Sequence, residues 1–430
     1  MIKKNTFKML IIFLMMQSVA PALSLNESLI QSINNNLTLQ IENSNLDIAE
    51  EDLFQSKANF LPTIALSGNI SESETSDIKL QTGLVSADTE LQSSSKSIIL
   101  SQSIFNGFSK VYDLKSSKLN YKLQQLNLKK SKQDVMLETI EAYFDTLIAD
   151  KTYQSYQDNY NSVNERYIAT KKEFEVGLAS KTDVAQAESF MNSAKINMLN
   201  SKINFNKSIN SFSDLIGTKA ENMDFSKISV NLPRNFEEYK DLVQQNNLAI
   251  KMASISLGVR SAQVGFARSS LYPQVDFTAS KTEFDESSSI VDSGTNDEIK
   301  ATVTWPIFNS GKSLSTIRQA KEFQNSSQIM LQKTKIDTLT LASTIWEQSE
   351  IVRETIKAAE LSLKASKTAY EGTKIEQEVG ERSILDVLNS QQSLLNAEIQ
   401  FFNQQKNQEV IKAQVLYMIG SLTLENLGEI

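Results

Sequence analysis

The stretch Leu61-Pro62-Thr63-Ile64-Ala65-Leu66-Ser67-Gly68-Asn69-Ile70-Ser71 opens on a proline and then alternates. Ile64, Leu66, Gly68 and Ile70 fall on one side of an extended chain, and Thr63, Ala65, Ser67, Asn69 and Ser71 fall on the other. A period of two is that of a β-strand. After Pro273 the pattern returns, with Val275, Phe277 and Ala279 opposite Asp276, Thr278 and Ser280. Return strands follow, so that 63–73 pairs with 95–105 and 274–283 with 298–305; in the last, Ile299, Ala301, Val303 and Trp305 oppose Lys300, Thr302 and Thr304. An apolar face opposite a Ser/Thr/Asn/Lys face, sustained over roughly 9 to 11 residues, suits a strand that meets lipid on one side and water on the other. A soluble two-sided sheet alternates in the same way, so alternation alone leaves both readings open. The polar connections, 74–94 and 283–297, are expected as outward loops.

These strands belong to a duplicated chain. Asn35, Asn36, Leu37, Leu46 and Pro62 recur 211 residues later as Asn246, Asn247, Leu248, Leu257 and Pro273. Ile104, Phe105, Asn106, Val176, Gly177, Asp183, Val184, Ile216 and Gly217 recur 203 residues later as Ile307, Phe308, Asn309, Val379, Gly380, Asp386, Val387, Ile419 and Gly420. One net shift of eight residues separates the two sets, and it falls in the strand hairpin, where length is cheapest to vary. Everything else keeps register, as packed elements do. The first repeat spans 23–220 and the second 236–420, joined by a linker at 221–235 and followed by a tail at 421–430.

Helices fill the remainder. Ser109 to Val176 contains neither proline nor glycine and carries Leu119, Leu123, Leu126, Met136, Ile140, Tyr143 and Leu147 at helical spacing. The matching stretch from Lys312 to Glu378 carries a seam of small residues, Ala358, Ser362, Ala365 and Ala369. At about 1.5 Å per residue each helix runs roughly 100 Å. Each repeat also has two helices of about half that length, at 26–60 and 182–216, then at 236–270 and 383–419. The fold class is therefore mainly α with a small β part, built from long antiparallel helical hairpins. Pro62, Pro233, Pro273 and Pro306 fall at expected boundaries, and Pro21 falls in the segment read next.

Residues 1–22 read as a secretory signal: Lys3, Lys4 and Lys8, an apolar run from Met9 to Met16 too short to span a bilayer, and the small-residue site Ala20-Pro21-Ala22. The mature start is expected at Leu23 or two residues later. Losing three lysines takes the formal net charge from -8 to -11, which disfavours nucleic acid as a partner. With no cysteine there is no disulfide framework, and with no histidine the commonest general base and zinc ligand are missing. No spacing of carboxylates suggests catalysis, no glycine-rich phosphate loop occurs, and neither a cofactor nor a resident metal is expected.

A sheet in lipid cannot leave an open edge, because each unpaired backbone group in hydrocarbon costs several kcal/mol. Four strands cannot close a barrel, so a conduit needs several chains sharing one, and three copies supply twelve strands. The alternative is a periplasmic coiled-coil adaptor or a trimeric structural stalk without a pore. An adaptor would insert a compact sheet domain between paired helices, where this chain has only a glycine turn. A stalk would have no use for two strand pairs of membrane-spanning length.

The order of motifs, Leu61-Pro62 and its strand, Gln102-Ser103-Ile104-Phe105-Asn106-Gly107, a long helix with Ala142-Tyr143-Phe144, Phe174-Glu175-Val176-Gly177-Leu178 with Thr182-Asp183-Val184, and a closing Leu215-Ile216-Gly217, all in duplicate, resembles the TolC family of outer-membrane channels. The resemblance covers essentially the whole mature chain. It implies a homotrimer in the bacterial outer membrane, with a shared transmembrane β-barrel in lipid and a periplasmic α-barrel. It further implies a gated passive conduit for type I protein secretion or small-molecule efflux, with a periplasmic adaptor and an inner-membrane ABC, RND or MFS transporter as partners.

The hairpin tips, Val176 to Asp183 and Val379 to Asp386, each place a glycine at a helix end and a serine three residues before an aspartate. Asp183 and Asp386 thus have the spacing of capping boxes, and Gly177 and Gly380 are the turn glycines. The resemblance adds a second role, the periplasmic entrance. It implies that Asp183 and Arg382 belong to a closing network and that Asp386, repeated three times around the mouth, forms an acidic ring that attracts cations. Asn389 stands where the family pattern has a second aspartate, and Gln377 where it has a tyrosine, so ring and latch are both expected to be weaker here.

Overall fold

The computed structural model describes residues 23–75, 89–220, 223–288 and 291–427. The expected signal at 1–22 lies outside them. The described chain divides into two units, each drawing on both sequence repeats. One comprises the stretch up to Asn36, Gln133–Phe236 and the chain from Thr344, and the other comprises Leu37–Lys132 and Glu237–Ser343.

The first repeat consists of α1 (Leu25–Asn35), α2 (Leu37–Ala58), β1 (Thr63–Thr75), β2 (Thr89–Asn106), α3 (Ser109–Glu175) and α4 (Lys181–Ile216). The second consists of α5 (Phe236–Asn246), α6 (Leu248–Arg268), β3 (Gln274–Ser288), β4 (Val291–Thr304), α7 (Lys312–Glu378) and α8 (Ile384–Ile419). The helices expected to run unbroken over 26–60 and 236–270 are each broken in two. The break sits on the repeated asparagine: Asn36 is extended, with φ -67° and ψ 121°. Asn247 is non-helical too, with φ -54° and ψ 129°, and its side-chain oxygen accepts from the backbone N–H groups of Ala249 and Ile250 at 3.0 and 3.3 Å. Asparagine competes for backbone hydrogen bonds with its own side chain, which is why it starts helices better than it continues them. The neighbouring Asn35 donates to the Ile216 carbonyl at 2.9 Å, closing α4 where Gly217 turns left-handed.

In the unit that contains the hairpin tips, the core gathers Leu25 and Leu29 of α1, Met136, Ile140, Tyr143, Phe144 and Leu147 of α3, Phe212 and Ile216 of α4 and Leu416 of α8. The expected linker and tail are part of it. Ile228, Leu422 and Leu427 are buried, with Met223, Phe225 and Val230 packed alongside. The alternation Met223, Phe225, then Ile228, Val230 is a strand-like signal that a loop assignment passes over. This segment is held by polar groups as well. The Tyr143 hydroxyl donates to the Asp224 carbonyl at 2.6 Å, with the Leu23 carbonyl 3.1 Å away. Burial is the main cause that pushes the Tyr143 pKa above its ordinary value. Glu409, its side chain only 3% exposed, accepts the Ile228 N–H at 2.7 Å and is paired with Lys412 at 2.8 Å, while Lys412 donates to the Ile228 carbonyl at 3.0 Å. The ion pair satisfies both backbone groups of Ile228, which has no strand neighbour among the described residues.

In the other unit the sheet runs in the order β1-β2-β3-β4, every pair antiparallel. The strands continue well past their expected ends. Most of 283–297, expected as a loop, is paired strand, with Glu283 opposite Thr295 and Asp285 opposite Ser293. Of the other expected loop, 74–75 and 89–94 are strand and 76–88 lie outside the described residues. Here apolar residues such as Leu91 and Phe284 stand singly among polar ones, so alternation fades while the ladder persists, held by pairs such as Ser71 with Ser93 at 2.7 Å. A bulge between Ser103 and Phe105 brings Phe105 opposite Val275.

Removing one member of a buried ion pair leaves the other charge uncompensated. Lys412→Met is expected to destabilise the protein by about 2–4 kcal/mol, at or below the usual range because the lysine is partly solvated. The double variant Glu409→Gln/Lys412→Met should lose less than the single one. Chemical denaturation of the detergent-solubilised protein measures both, and equal stability of Lys412→Met and the parent would refute the clamp.

Candidate functional site

Two features of the fold could carry a function, one in each unit, and each begins from local rules. At the first tip the backbone leaves α3 through Gly177, whose φ of 77° favours a residue without Cβ. The N–H of Leu178 returns to the Glu173 carbonyl at 2.8 Å, and Ser180 then opens α4. Its hydroxyl accepts the Asp183 N–H at 3.1 Å, and the Asp183 carboxylate accepts the Ser180 N–H at 2.8 Å. The second tip repeats this arrangement. Gly380 has φ 82°, and Ser383 and Asp386 exchange the same two bonds at 3.2 and 3.1 Å, with a third from the Ser383 hydroxyl to the carboxylate at 2.7 Å.

These bonds stabilise the ionised carboxyls. The Ser180 side chain and backbone hold Asp183 below the usual carboxylate range. Ser383 does the same for Asp386, with a smaller contribution from the Arg382 charge. Within one chain the direction is thus downward, opposite to the rise that a ring of like charges would cause. Arg382 donates through Nε to Glu376 at 2.9 Å, and that carboxylate, then Asp386, raises the guanidinium pKa. The tip therefore carries an acid–base–acid line, Glu376, Arg382, Asp386. Asp183 sits in its own cap on the other hairpin, with no bond to Arg382 or Asp386 among the described residues. Asn389 is exposed in the second turn of α8. Gln377 accepts from Arg166 Nη1 at 2.9 Å, tying α7 to α3. Behind the tips Val163, Ala194 and Leu388 pack together with Phe190, Met191 and Ile384, which joins α3, α4 and α8.

Sequence reasoning missed Arg166 and Glu376. Only seven of the 43 basic residues are arginine, and two of the seven, Arg166 and Arg382, lie here, a bias that could have marked them.

The sheet is the second feature. Its pairing sorts the strands into two faces. On one lie Ile64, Leu100, Ala279 and Ile299 in a single cross-strand row. Ile64, Leu66, Ile70, Ile98, Ile299 and Val303 are all exposed. On β1 the apolar residues run from this row toward the β1–β2 turn, as far as Ile70, whereas on β3 and β4 they run the other way, through Phe277 and Val275 and through Ala301 and Val303. A band that crosses the rows obliquely is what tilted barrel strands present to a flat bilayer. The opposite face is polar. Its rows read Thr63, Ser101, Thr278, Lys300 and Ser67, Ser97, Thr282, Asn296, with Ser97 and Thr282 bonded at 2.8 Å.

Where strands give way to helices, aromatic side chains collect. Phe108 packs edge-on against Phe105 at 5.1 Å and against Tyr272 at 6.0 Å, and Trp305 donates to the Leu271 carbonyl at 3.1 Å. Such rings, apolar with a polar tip, settle at membrane–water boundaries. This girdle too went unread in the sequence, because its members lie far apart in the chain.

Comparison with known proteins agrees with this geometry. The model of the family described as outer membrane efflux protein matches residues 29–218 and 240–421. The outer membrane efflux protein BepC of Brucella suis is 23% identical over 94% of this chain and 87% of its own length. The outer membrane protein TolC of Escherichia coli is 21% identical over 89% of this chain and 79% of its own. Among solved structures, the Campylobacter jejuni CmeC outer membrane channel superposes with a TM-score of 0.84 at 20% identity, covering 94% of this chain and 87% of that one.

The lowered carboxyl pKa values give the caps a pH signature. Their stabilising contribution is complete above the ordinary 3.8 and is lost as pH falls through the lowered values. Spin labels at Leu178 and Glu381 are expected to gain mobility only below about pH 3.8, and Ser180→Ala and Ser383→Ala should move that onset upward. Mobility that stays constant down to about pH 2 would remove the caps from the account.

Proposed function

Since the chain belongs to the family of outer membrane efflux proteins, we propose that three copies close their four-stranded sheets into one barrel and join their helical hairpins into a gated periplasmic tunnel. The chain is an outer-membrane export channel, and the proposal states how it forms one. The observation that carries it is the sheet itself: an exposed apolar face, a hydroxyl-lined face and two edges, β1 and β4, without a strand neighbour among the described residues. Backbone groups on those edges can enter hydrocarbon only if another copy pairs with them. Neither an adaptor nor a stalk accounts for a lipid-facing sheet of this kind.

The conduit performs no chemistry of its own. Energy and cargo choice come from an inner-membrane transporter of ABC, RND or MFS type through a periplasmic adaptor, and the cargo is a secreted protein or a small toxic compound. The tips form the gate. Gly177 and Gly380 set the turns, Arg382 holds its tip closed through Glu376 and Asp386, Asp183 faces the neighbouring coil, and Asp386 with Asn389 lines the mouth, where three copies of Asp386 attract cations. Asp183 and Asp386 keep their capping bonds while doing so.

The facing of the sheet is tested by a matched pair of substitutions. Leu66→Arg puts a charge against lipid, costs roughly 2–4 kcal/mol at mid-membrane and is expected to deplete the trimer from outer-membrane fractions. Ser67→Arg, one residue on, should assemble normally and shift ion selectivity toward anions. If both variants assemble alike, as heat-labile trimers on native gels, the two-faced reading fails.

Arg382→Ser is expected to raise the open conductance of the channel in planar bilayers, because it frees the tip from Glu376. Unchanged conductance in an assembled trimer would take Arg382 out of the gate and leave it a surface ion pair.

A further inference from the structure

We propose that β4 of one copy pairs with β1 of the next in the register the chain already uses between β2 and β3. The inference rests on the shared-barrel reading and goes beyond it by naming which residues meet. Its basis is the duplication. β4 repeats β2 at an offset of 203, and β1 repeats β3 at an offset of 211. The pairing of β2 with β3 inside the chain is therefore a template for the pairing between copies.

Carrying the observed pairs across gives the seam. Leu100 opposite Ala279 becomes Val303 opposite Gly68, Gln102 opposite Phe277 becomes Trp305 opposite Leu66, and Phe105 opposite Val275 becomes Phe308 opposite Ile64. On the polar face Ile99 opposite Ser280 becomes Thr302 opposite Asn69. Along the outer face the tryptophan meets a leucine, the phenylalanine an isoleucine and the valine a glycine, so the apolar band passes from one copy to the next without a break.

Both edges are already shaped for this contact although neither has a strand neighbour there among the described residues. At the in-chain seam the Asn106 side chain accepts the Lys110 N–H at 3.4 Å, and at the free edge Asn309 accepts the Ser313 N–H at the same distance. The turn that β2 meets is closed by the Tyr272 N–H on the Ser269 carbonyl, and its repeat by the Leu61 N–H on the Ala58 carbonyl. Left-handed pairs also match: Gly107 and Phe108 at 62° and 70°, Ser310 and Gly311 at 57° and 78°. What differs is cover. Phe105 is half-buried, while its counterpart Phe308 is 85% exposed and Ile307 beside it 87%. Two such apolar side chains beside an open edge call for a partner, and the neighbour's Phe60 and Leu61, also exposed, supply one of matching chemistry.

The equivalence ends at Ser310. A Cβ on Gly107 would lie 2.3 Å from the Ser269 carbonyl oxygen. Ser310 has that Cβ, so the neighbour's Ala58 stands farther off, and the seam between copies opens at its helical end relative to the seam within.

A slip of two residues, with Thr302 opposite Ser67, would also keep apolar residues on the outer face, so covalent trapping decides. The full chain contains no cysteine, which makes paired substitutions clean. Thr302→Cys/Asn69→Cys and Val303→Cys/Gly68→Cys sample both kinds of antiparallel pair, whose Cα spacings of about 4.5 and 5.5 Å both lie within disulfide reach. After oxidation in membranes, one or both should give a reducible covalent trimer on denaturing gels, at least about tenfold more than Thr302→Cys/Ser67→Cys or Thr302→Cys/Ser71→Cys. Preferential trapping of a slipped pair, or of no pair in a protein whose native mass is a trimer, overturns the register and leaves the shared barrel standing. No trapping together with a monomeric native mass overturns the shared barrel itself.

Discussion

Backbone hydrogen bonding in hydrocarbon is the constraint on which the rest depends. Water satisfies the edge of a soluble sheet, and lipid cannot, at several kcal/mol for each group left unpaired. A chain that offers one exposed apolar face and strands in the simple order β1-β2-β3-β4 presents a contiguous arc whose ends must find other ends. Closure by copies of itself follows from that order, since an arc with two different edges joins head to tail and can return to its start. The exposed aliphatic side chains of β1 and β4, anomalous on a soluble monomer, are ordinary on such an arc.

Duplication then shapes both units, and its departures are as informative as its matches. The two reciprocal capping-box bonds at Ser180 recur at Ser383, so both tips are built to hold a tight turn. The acids repeat, Glu173 with Glu376 and Asp183 with Asp386, but the arginine does not. Arg382 corresponds to Ala179, so the Glu376–Arg382 pair has no counterpart on the first tip among the described residues.

How much of this was legible in the sequence depended on whether one residue's surroundings differed from its neighbour's. Ile64 to Ile70 and Val275 to Ala279 could be read because their two faces meet lipid and water. Glu74 to Thr75 and Phe284 to Ser288 could not, because apolar residues no longer recur at every second position there and the ladder itself leaves no mark on composition. The repeated Asn-Asn-Leu served well for register and misled for structure, since the second asparagine starts a helix rather than continuing one. The segment at 223–230 was read as a linker because its partners, Tyr143, Glu409 and Lys412, come from distant elements that no local window contains. At the tips the caps were readable from four residues each. The partners of Arg382 and Gln377 required knowing which helices stand side by side.

The hydroxyl-lined face bears on why a conduit can serve cargo it does not recognise. Ser67, Ser97, Ser101, Thr278 and Thr282 offer donors and acceptors that water satisfies as well as any solute does. A passing molecule trades one set of hydrogen bonds for an equivalent set and gains little by stopping, and conduction needs binding weak enough to leave. Charges on this face are few among the described residues: Asp276 lies near the helical end, Asp292 near the far end, and Glu298 opposite Ser280 stands beside Lys300 opposite Thr278, each softening the field of the other. A wall of this kind discriminates poorly by design of its chemistry.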